Sequence, residues 1–151
     1  MKKTLQLLSF IFFISQITFS QLQQLDVFEY TKQLEALEYI NTFRGYYSAE
    51  PLIMDKNLHT KAYNWAKIIS DKGELQTEDD EIGENLYSIA NDVDITRNNI
   101  YLDAVVAWII VDCSKEDKEL LLDNLLDKDA RKAGFAFSKN ASETFVVFKY
   151  E

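Results

Sequence analysis

The chain has 151 residues, of which 47% are hydrophobic and 13% aromatic, with four glycines and one proline. That length and composition describe one globular domain and exclude a disordered, fibrous or repeat protein. Acidic residues outnumber basic ones 25 to 16, for a formal net charge of −9, which argues against nucleic acid and anionic membrane surfaces as partners.

The N-terminal stretch MKKTLQLLSFIFFISQITFSQ places Lys2 and Lys3 before a mostly apolar run from Leu5 to Ile14, with the small residues Thr18 and Ser20 beyond it. It reads as a secretory signal peptide over 1–20, cleaved after Ser20, in a style that looks bacterial. A membrane anchor is disfavoured because the run is short and is interrupted by Gln6 and Gln16, whereas a spanning helix needs about 20 apolar residues. No Cys stands near the cleavage region, so a lipoprotein anchor is not indicated. Cleavage removes Lys2 and Lys3 and no acid, leaving 14 basic against 25 acidic residues and a net charge of −11. Cys113 is the single cysteine, so the chain forms no internal disulfide and its stability must come from its core.

Residues 21–33 lead into a first helix, where Val27, Tyr30, Leu34, Leu37 and Ile40 recur at helical spacing and the helix ends near Gly45. YYSAEPLIM reads as a loop around Pro51. A second helix begins at Asp55 as N-cap, carries Leu58, Ala62, Trp65, Ala66 and Ile69 on one face, and stops at Gly73. ELQTEDDE is an acidic loop and IGENLYSI a short strand or extended segment. NNIYLDAVVAWIIVDC is a third helix, apolar nearly all round and therefore expected to be central. EDKELLLDNLLDKDA, with leucines at 120, 121, 122, 125 and 126, is a fourth. KAGFAFS and ETFVVFKYE, joined by a turn at KNAS, form an antiparallel hairpin in which Ala133, Phe135 and Phe137 alternate. The expected class is α+β, a three-layer α/β/α sandwich with a small antiparallel sheet flanked by helices.

Several stretches, in order, resemble the CAP superfamily, the SCP-like domains of cysteine-rich secretory, antigen 5 and pathogenesis-related proteins. They are Asn41 and Arg44 in the first helix, then Pro51-Leu52, Asp55, Leu58, Ala62, Trp65-Ala66 and Gly73. GENLY at 83–87, DAVVAW at 103–108, DNLLDKDARKAGFAF at 123–137 and FVVFKYE at the end continue the series. The resemblance covers residues 34–151 and implies the same sandwich fold. It also implies a cleft in which many members hold two histidines and two acids, sometimes with a divalent metal, a donor set suited to zinc.

Carried over residue by residue, those positions hold Thr77, Glu84, Val111 and Leu121. Glu84 alone keeps the family's residue type. A one-residue shift restores an acid at Asp112, but no shift restores a histidine, because residues 75–151 contain none. The implied site is a degenerate cleft of Thr77, Glu84, Asn85, Val111 and Leu121, with no metal, no cofactor and no catalytic residue. Glu84, facing an apolar wall, must be hydrogen-bonded, paired, exposed or protonated. A structural role, bonded to backbone amides or a nearby hydroxyl, is favoured over residual ligand binding and over catalysis. Asn85 is expected to satisfy loop backbone groups.

Other candidates carry less. His59 is off the apolar face of its helix and reads as a surface histidine; Cys113 reads as a small buried hydrophobe. TEDDE at 77–81 lacks calcium-loop spacing and reads as a solvated loop. NAS at 140–142 matches the glycosylation pattern but lies in a turn. The expected function is an exported, non-catalytic CAP-like binding or interaction module, secreted or periplasmic, whose partner is an unknown protein. The alternatives are a binder of lipid or a small apolar ligand, using Val111 and Leu121, and a peptidase-like hydrolase retaining only Glu84. No nucleic acid and no stable membrane insertion after signal cleavage are expected.

Overall fold

The computed structural model describes residues 29–79, 82–93, 99–114 and 124–151, without the side chains of 111–114. The chain divides into two units, Met1–Lys32 and Gln33–Glu151. In the first unit residues 29–32 are helical, with Lys32 paired to Glu29 at 3.8 Å. The rest of the proposed signal segment, and Val27, lie outside the described residues.

The second unit opens with helix α1, residues 33–46. Its core face is Ala36, Leu37, Ile40 and the aliphatic stem of Arg44, while Leu34 is 41% exposed. The expected stripe is therefore right at Leu37 and Ile40 and rotated outward at Leu34. The helix ends one residue beyond Gly45. Ser48 takes the left-handed conformation with φ 58, and the Ala49 amide returns to the Arg44 carbonyl at 3.0 Å. The stretch around Pro51 reads as loop throughout, yet Ile53–Met54 forms strand β1. Asn41 holds this stretch through both ends of its amide, donating to the Leu52 carbonyl and accepting the Leu52 amide at 2.9 and 2.8 Å.

Helix α2 runs Lys56–Lys72. The Asp55 carboxylate caps it by accepting the Asn57 and Leu58 amides, and those bonds, with Lys132 nearby, hold its pKa below the ordinary value. Gly73, with φ 73, closes its C-terminus. Strand β2 is Gly83–Ala90, helix α3 Ile100–Ser114, strand β3 Lys132–Lys139 and strand β4 Glu143–Tyr150. Of the expected fourth helix over 116–130, 116–123 lie outside the described residues; Asn124 and Leu125 are helical, 126–130 are not, and Leu125 is buried.

The strands form one sheet in the order β1-β3-β4-β2. The hairpin β3–β4 and the pair β2–β4 are antiparallel, but β1 lies parallel to β3, so the sheet is mixed rather than antiparallel. Side chains alternate across it. Phe135, Val146, Phe148 and Tyr150 meet Ala36, Leu37, Ile40 of α1 and Tyr101, Ala104, Val105, Trp108 of α3. Ala136, Phe145 and Val147 face Ala62, Ala66 and Ile69 of α2. Helix α3 is thus a flanking layer rather than a central element, and its Ile110 is 60% exposed. The result is an α+β fold in three layers.

Because β1 stops at Met54, the free edge of β3 beyond Ala133 is finished by α2. The Asp55 amide donates to the Ala133 carbonyl and His59 Nδ1 contacts the Phe135 carbonyl at 2.6 Å. His59 is therefore half-buried and bonded, not a surface histidine, and since a carbonyl only accepts, Nδ1 carries the proton. The approach depends on Gly134, where a Cβ would stand 2.1 Å from the His59 backbone nitrogen.

Candidate functional site

Glu84 lies on β2 and Lys149 on β4, and the two are direct cross-strand partners. Lys149 is two residues from Val147, so both side chains point to the α2 face. The Lys149 ammonium is fully buried, 3.2 Å from Glu84 Oε2 and 2.7 Å from Glu78 Oε2. Glu84 Oε1 accepts the Glu78 backbone amide at 3.0 Å. The loop after α2 therefore folds over the sheet and brings one carboxylate and one amide to the pair.

That loop is anchored elsewhere as well. Trp65 Nε1 donates to the Gln76 carbonyl at 2.9 Å, and Lys72 reaches the Gln76 side chain at 3.1 Å. On the far side of the sheet edge, Trp108 Nε1 donates to the Leu86 carbonyl at 2.7 Å. Gly83 is needed because the Tyr150 ring covers it; a Cβ there would stand 2.0 Å from the ring.

Burial raises the Glu84 pKa above the ordinary carboxylate value, opposed by the Glu78 amide and by Lys149. Burial also pulls Lys149 down, but the Glu78 hydrogen bond and the Glu84 charge outweigh it, so Lys149 is held above its ordinary value. An ammonium held this way stays charged at neutral pH. It serves as the counter-ion for both carboxylates. Tyr150 is pushed well above its usual range by burial, with Asp127 and Glu84 adding to the effect.

Of the residues expected from sequence, Glu84 and Asn85 lie on opposite faces of β2. Thr77 is exposed on the loop, one position before Glu78. Asn85 is 1% exposed and pairs with Phe148, which places it on the opposite face of β2 from Glu84, in the layer that meets α1 and α3. Val111 is on α3, whose core residues pack against that opposite face. The side chains of Val111 and Cys113, and the whole of Leu121, lie outside the described residues. The acidic loop is not wholly solvated, since Glu78 is drawn onto Lys149 while Asp79 stays exposed. Asn140 of the NAS triplet donates to the Ser70 carbonyl at 3.0 Å and accepts the Ser142 and Glu143 amides, so its side chain is spent in the turn.

Sequence reasoning missed Lys149 and Glu78. It placed Glu84 beside lost partners, whereas the fold supplies a charged one 65 residues away in the chain. No local signal marks Lys149; only the register of β2 against β4 does. Arg44 is a second residue whose task needs the fold. Its guanidinium, fully buried, donates to the carbonyls of Glu50, Leu125, Asp127 and Ala130 at 2.7–3.2 Å. Burial lowers its pKa, with Asp127 opposing.

The described donors at the site do not make up a set for a divalent ion. Among the described residues no group of three His, Cys, Asp or Glu side chains stands close enough to hold one. The Glu84 carboxylate is engaged by an ammonium and an amide, whereas a zinc site uses three or four protein ligands. Among the same residues no helix is long and apolar enough to cross a membrane.

A three-layer sandwich with Gly-Glu-Asn opening an edge strand, a capped α2 behind it and a closing hairpin defines a class of domain. The model of the CAP family, described as the cysteine-rich secretory protein family, matches residues 37–150, and the chain belongs to that family. No curated protein matches it. Among solved structures it is similar to the hookworm platelet inhibitor, at 21% identity over 83% of this chain and 69% of that one, TM-score 0.59. It is also similar to NaASP2 solved with Zn2+, at 15% identity over 78% and 77%, TM-score 0.59. A third likeness is to an outer surface protein from Borrelia burgdorferi, at 12% identity over 79% and 92%, TM-score 0.51. At such identities the likenesses speak for the fold alone. Unlike the family's description, this chain has a single cysteine.

Proposed function

We propose that this chain is an exported CAP domain that works by binding a protein partner and not by catalysis, its family metal site having been lost. The observation that carries the reading is Lys149: a buried ammonium 3.2 Å from the one family acid that survives. A cation built into the chain offsets the Glu84 charge, and a neighbouring ammonium disfavours the approach of a second cation to that carboxylate. On the family resemblance the other ligand positions fall at Thr77, Val111 and Leu121, and none of these side chains is a strong ligand for zinc. NaASP2, a likeness at 15% identity, was solved with Zn2+.

Calorimetric titration with zinc tests this. The expected result is no stoichiometric binding. Tight one-to-one binding that Glu84→Ala abolishes would overturn the reading. Export through residues 1–20 predicts a mature N-terminus at Gln21, which intact-mass spectrometry of the exported protein reads as the free glutamine or its cyclised pyroglutamate.

A further inference from the structure

We propose that the outer face of α1 docks a basic protein segment, with an arginine side chain of the partner seated among Tyr39, Phe43 and Tyr46. This rests on the binding-module reading above and names the surface it would use.

With Ala36, Leu37, Ile40 and Arg44 committed to the interior, helical spacing turns Glu35, Glu38, Tyr39, Thr42 and Tyr46 outward together. Tyr39 is 47% and Tyr46 82% exposed, although exposed tyrosines have ample apolar surface to bury. A hollow of about 240 Å³ is lined by Tyr39, Thr42, Phe43 and Tyr46. Tyr47 packs on Phe43 with ring centroids 5.1 Å apart and buttresses its wall. A second, shallower trough of about 530 Å³, lined by Leu34, Leu37, Glu38, Asn41 and Thr42, adjoins it at Thr42.

The chemistry selects the occupant. The hollow is smaller than the roughly 300–1,000 Å³ of small-molecule sites and suits one side chain. Aromatic ring faces attract cations, and a planar guanidinium stacks on them better than an ammonium does. Glu38 lines the trough and Glu35 lies one turn before Tyr39, while among the described residues no basic side chain lines either hollow. The chain is acidic overall, at −9, so a basic segment is drawn to it and an anionic membrane repelled. Tyrosine and arginine are also the residue types that dominate binding energy at protein interfaces.

The test uses tetra-arginine amide as probe, with binding measured by calorimetry and mapped by backbone amide NMR shifts. Binding is expected, with shifts centred on 38–47. The double variant Tyr39→Ser/Tyr46→Ser weakens it about tenfold, Tyr63→Ser on the exposed side of α2 leaves it unchanged, and Glu38→Gln lowers its salt dependence. The altered tyrosines are exposed, so the fold survives, which the NMR spectrum checks. No binding, binding indifferent to the tyrosine variant, or tetra-lysine binding as tightly would overturn the proposal. So would tetramethylammonium matching tetra-arginine, which would mark a small quaternary ammonium as the ligand instead. None of these outcomes depends on the zinc titration, so this surface and the lost metal site fail separately.

Discussion

Lys149 and Glu84 face each other across neighbouring strands, ammonium to carboxylate at 3.2 Å, with the lysine fully buried. Their pairing ties β4 to β2, and through Glu78 it ties both to the loop after α2. Replacing one partner of a buried ion pair leaves the other charge desolvated and uncompensated. Lys149→Met is expected to destabilise the domain by about 3–5 kcal/mol. Adding Glu84→Leu to it is expected to recover most of that loss, because two apolar groups then replace two charges. Urea denaturation of the single and double variants checks both, and a double variant no more stable than the single one would refute the pairing.

Glu84 also sets a pH dependence. Burial holds its carboxyl above the ordinary 4.5, against the pull of the Glu78 amide and Lys149. Between 4.5 and the folded value, the folded chain keeps a proton that the unfolded chain has released. The stability due to Glu84 therefore falls as pH rises through that window. Wild type is expected to lose ground to Glu84→Gln upward from about pH 4.5, then level off, in urea denaturations run from about pH 4 to about pH 8. A wild type that gains on the variant over that range would show the opposite sign. Lys149, raised above 10.5, acts at the alkaline end: its contribution is full below 10.5 and is lost as pH climbs through its folded value.

Arg44 is a staple between α1 and the segment before β3. A lysine carries the charge but cannot aim donors at Glu50, Leu125, Asp127 and Ala130 together. Arg44→Lys is expected to cost about 3 kcal/mol, given that hydrogen bonds from charged donors contribute about 1.5–3 kcal/mol each. Amide hydrogen exchange at 125–131 is expected to speed up by more than exchange in α2, which distinguishes a local release from general weakening.

Gly134 is the point of closest approach between α2 and the sheet. In Gly134→Ala the new methyl meets the backbone of Leu58 and His59, which cannot move aside as a side chain tip can. The helix must lift from β3, and the His59 bond to Phe135 lengthens with it. A loss of about 3 kcal/mol is expected in thermal or urea unfolding, together with a shift of the His59 ring resonances.

Much of the framework could be read from the residues in order. Asp55 and Gly73 bracket α2 because a carboxylate satisfies free amides and glycine accepts φ 73 without strain. The alternation in β3 and β4 announces strands whose two faces both meet a helix layer. Leu37 and Ile40 mark the buried side of α1. Such signals are legible because each depends on neighbours within a turn or two of chain.

The errors came where distant segments meet. Ile53–Met54 became a strand because β3 offered it an edge, and Leu34 turned outward because Gln33 and Arg44 found internal partners. His59 was drawn inward by a carbonyl that the short β1 left free. At the site, the sequence establishes that residue 84 is an acid and that no histidine follows His59, since those are matters of residue identity. That this acid is paired rather than isolated follows from the register of β2 against β4, which sets Lys149 opposite Glu84, and electrostatic energy depends on separation in space rather than along the chain.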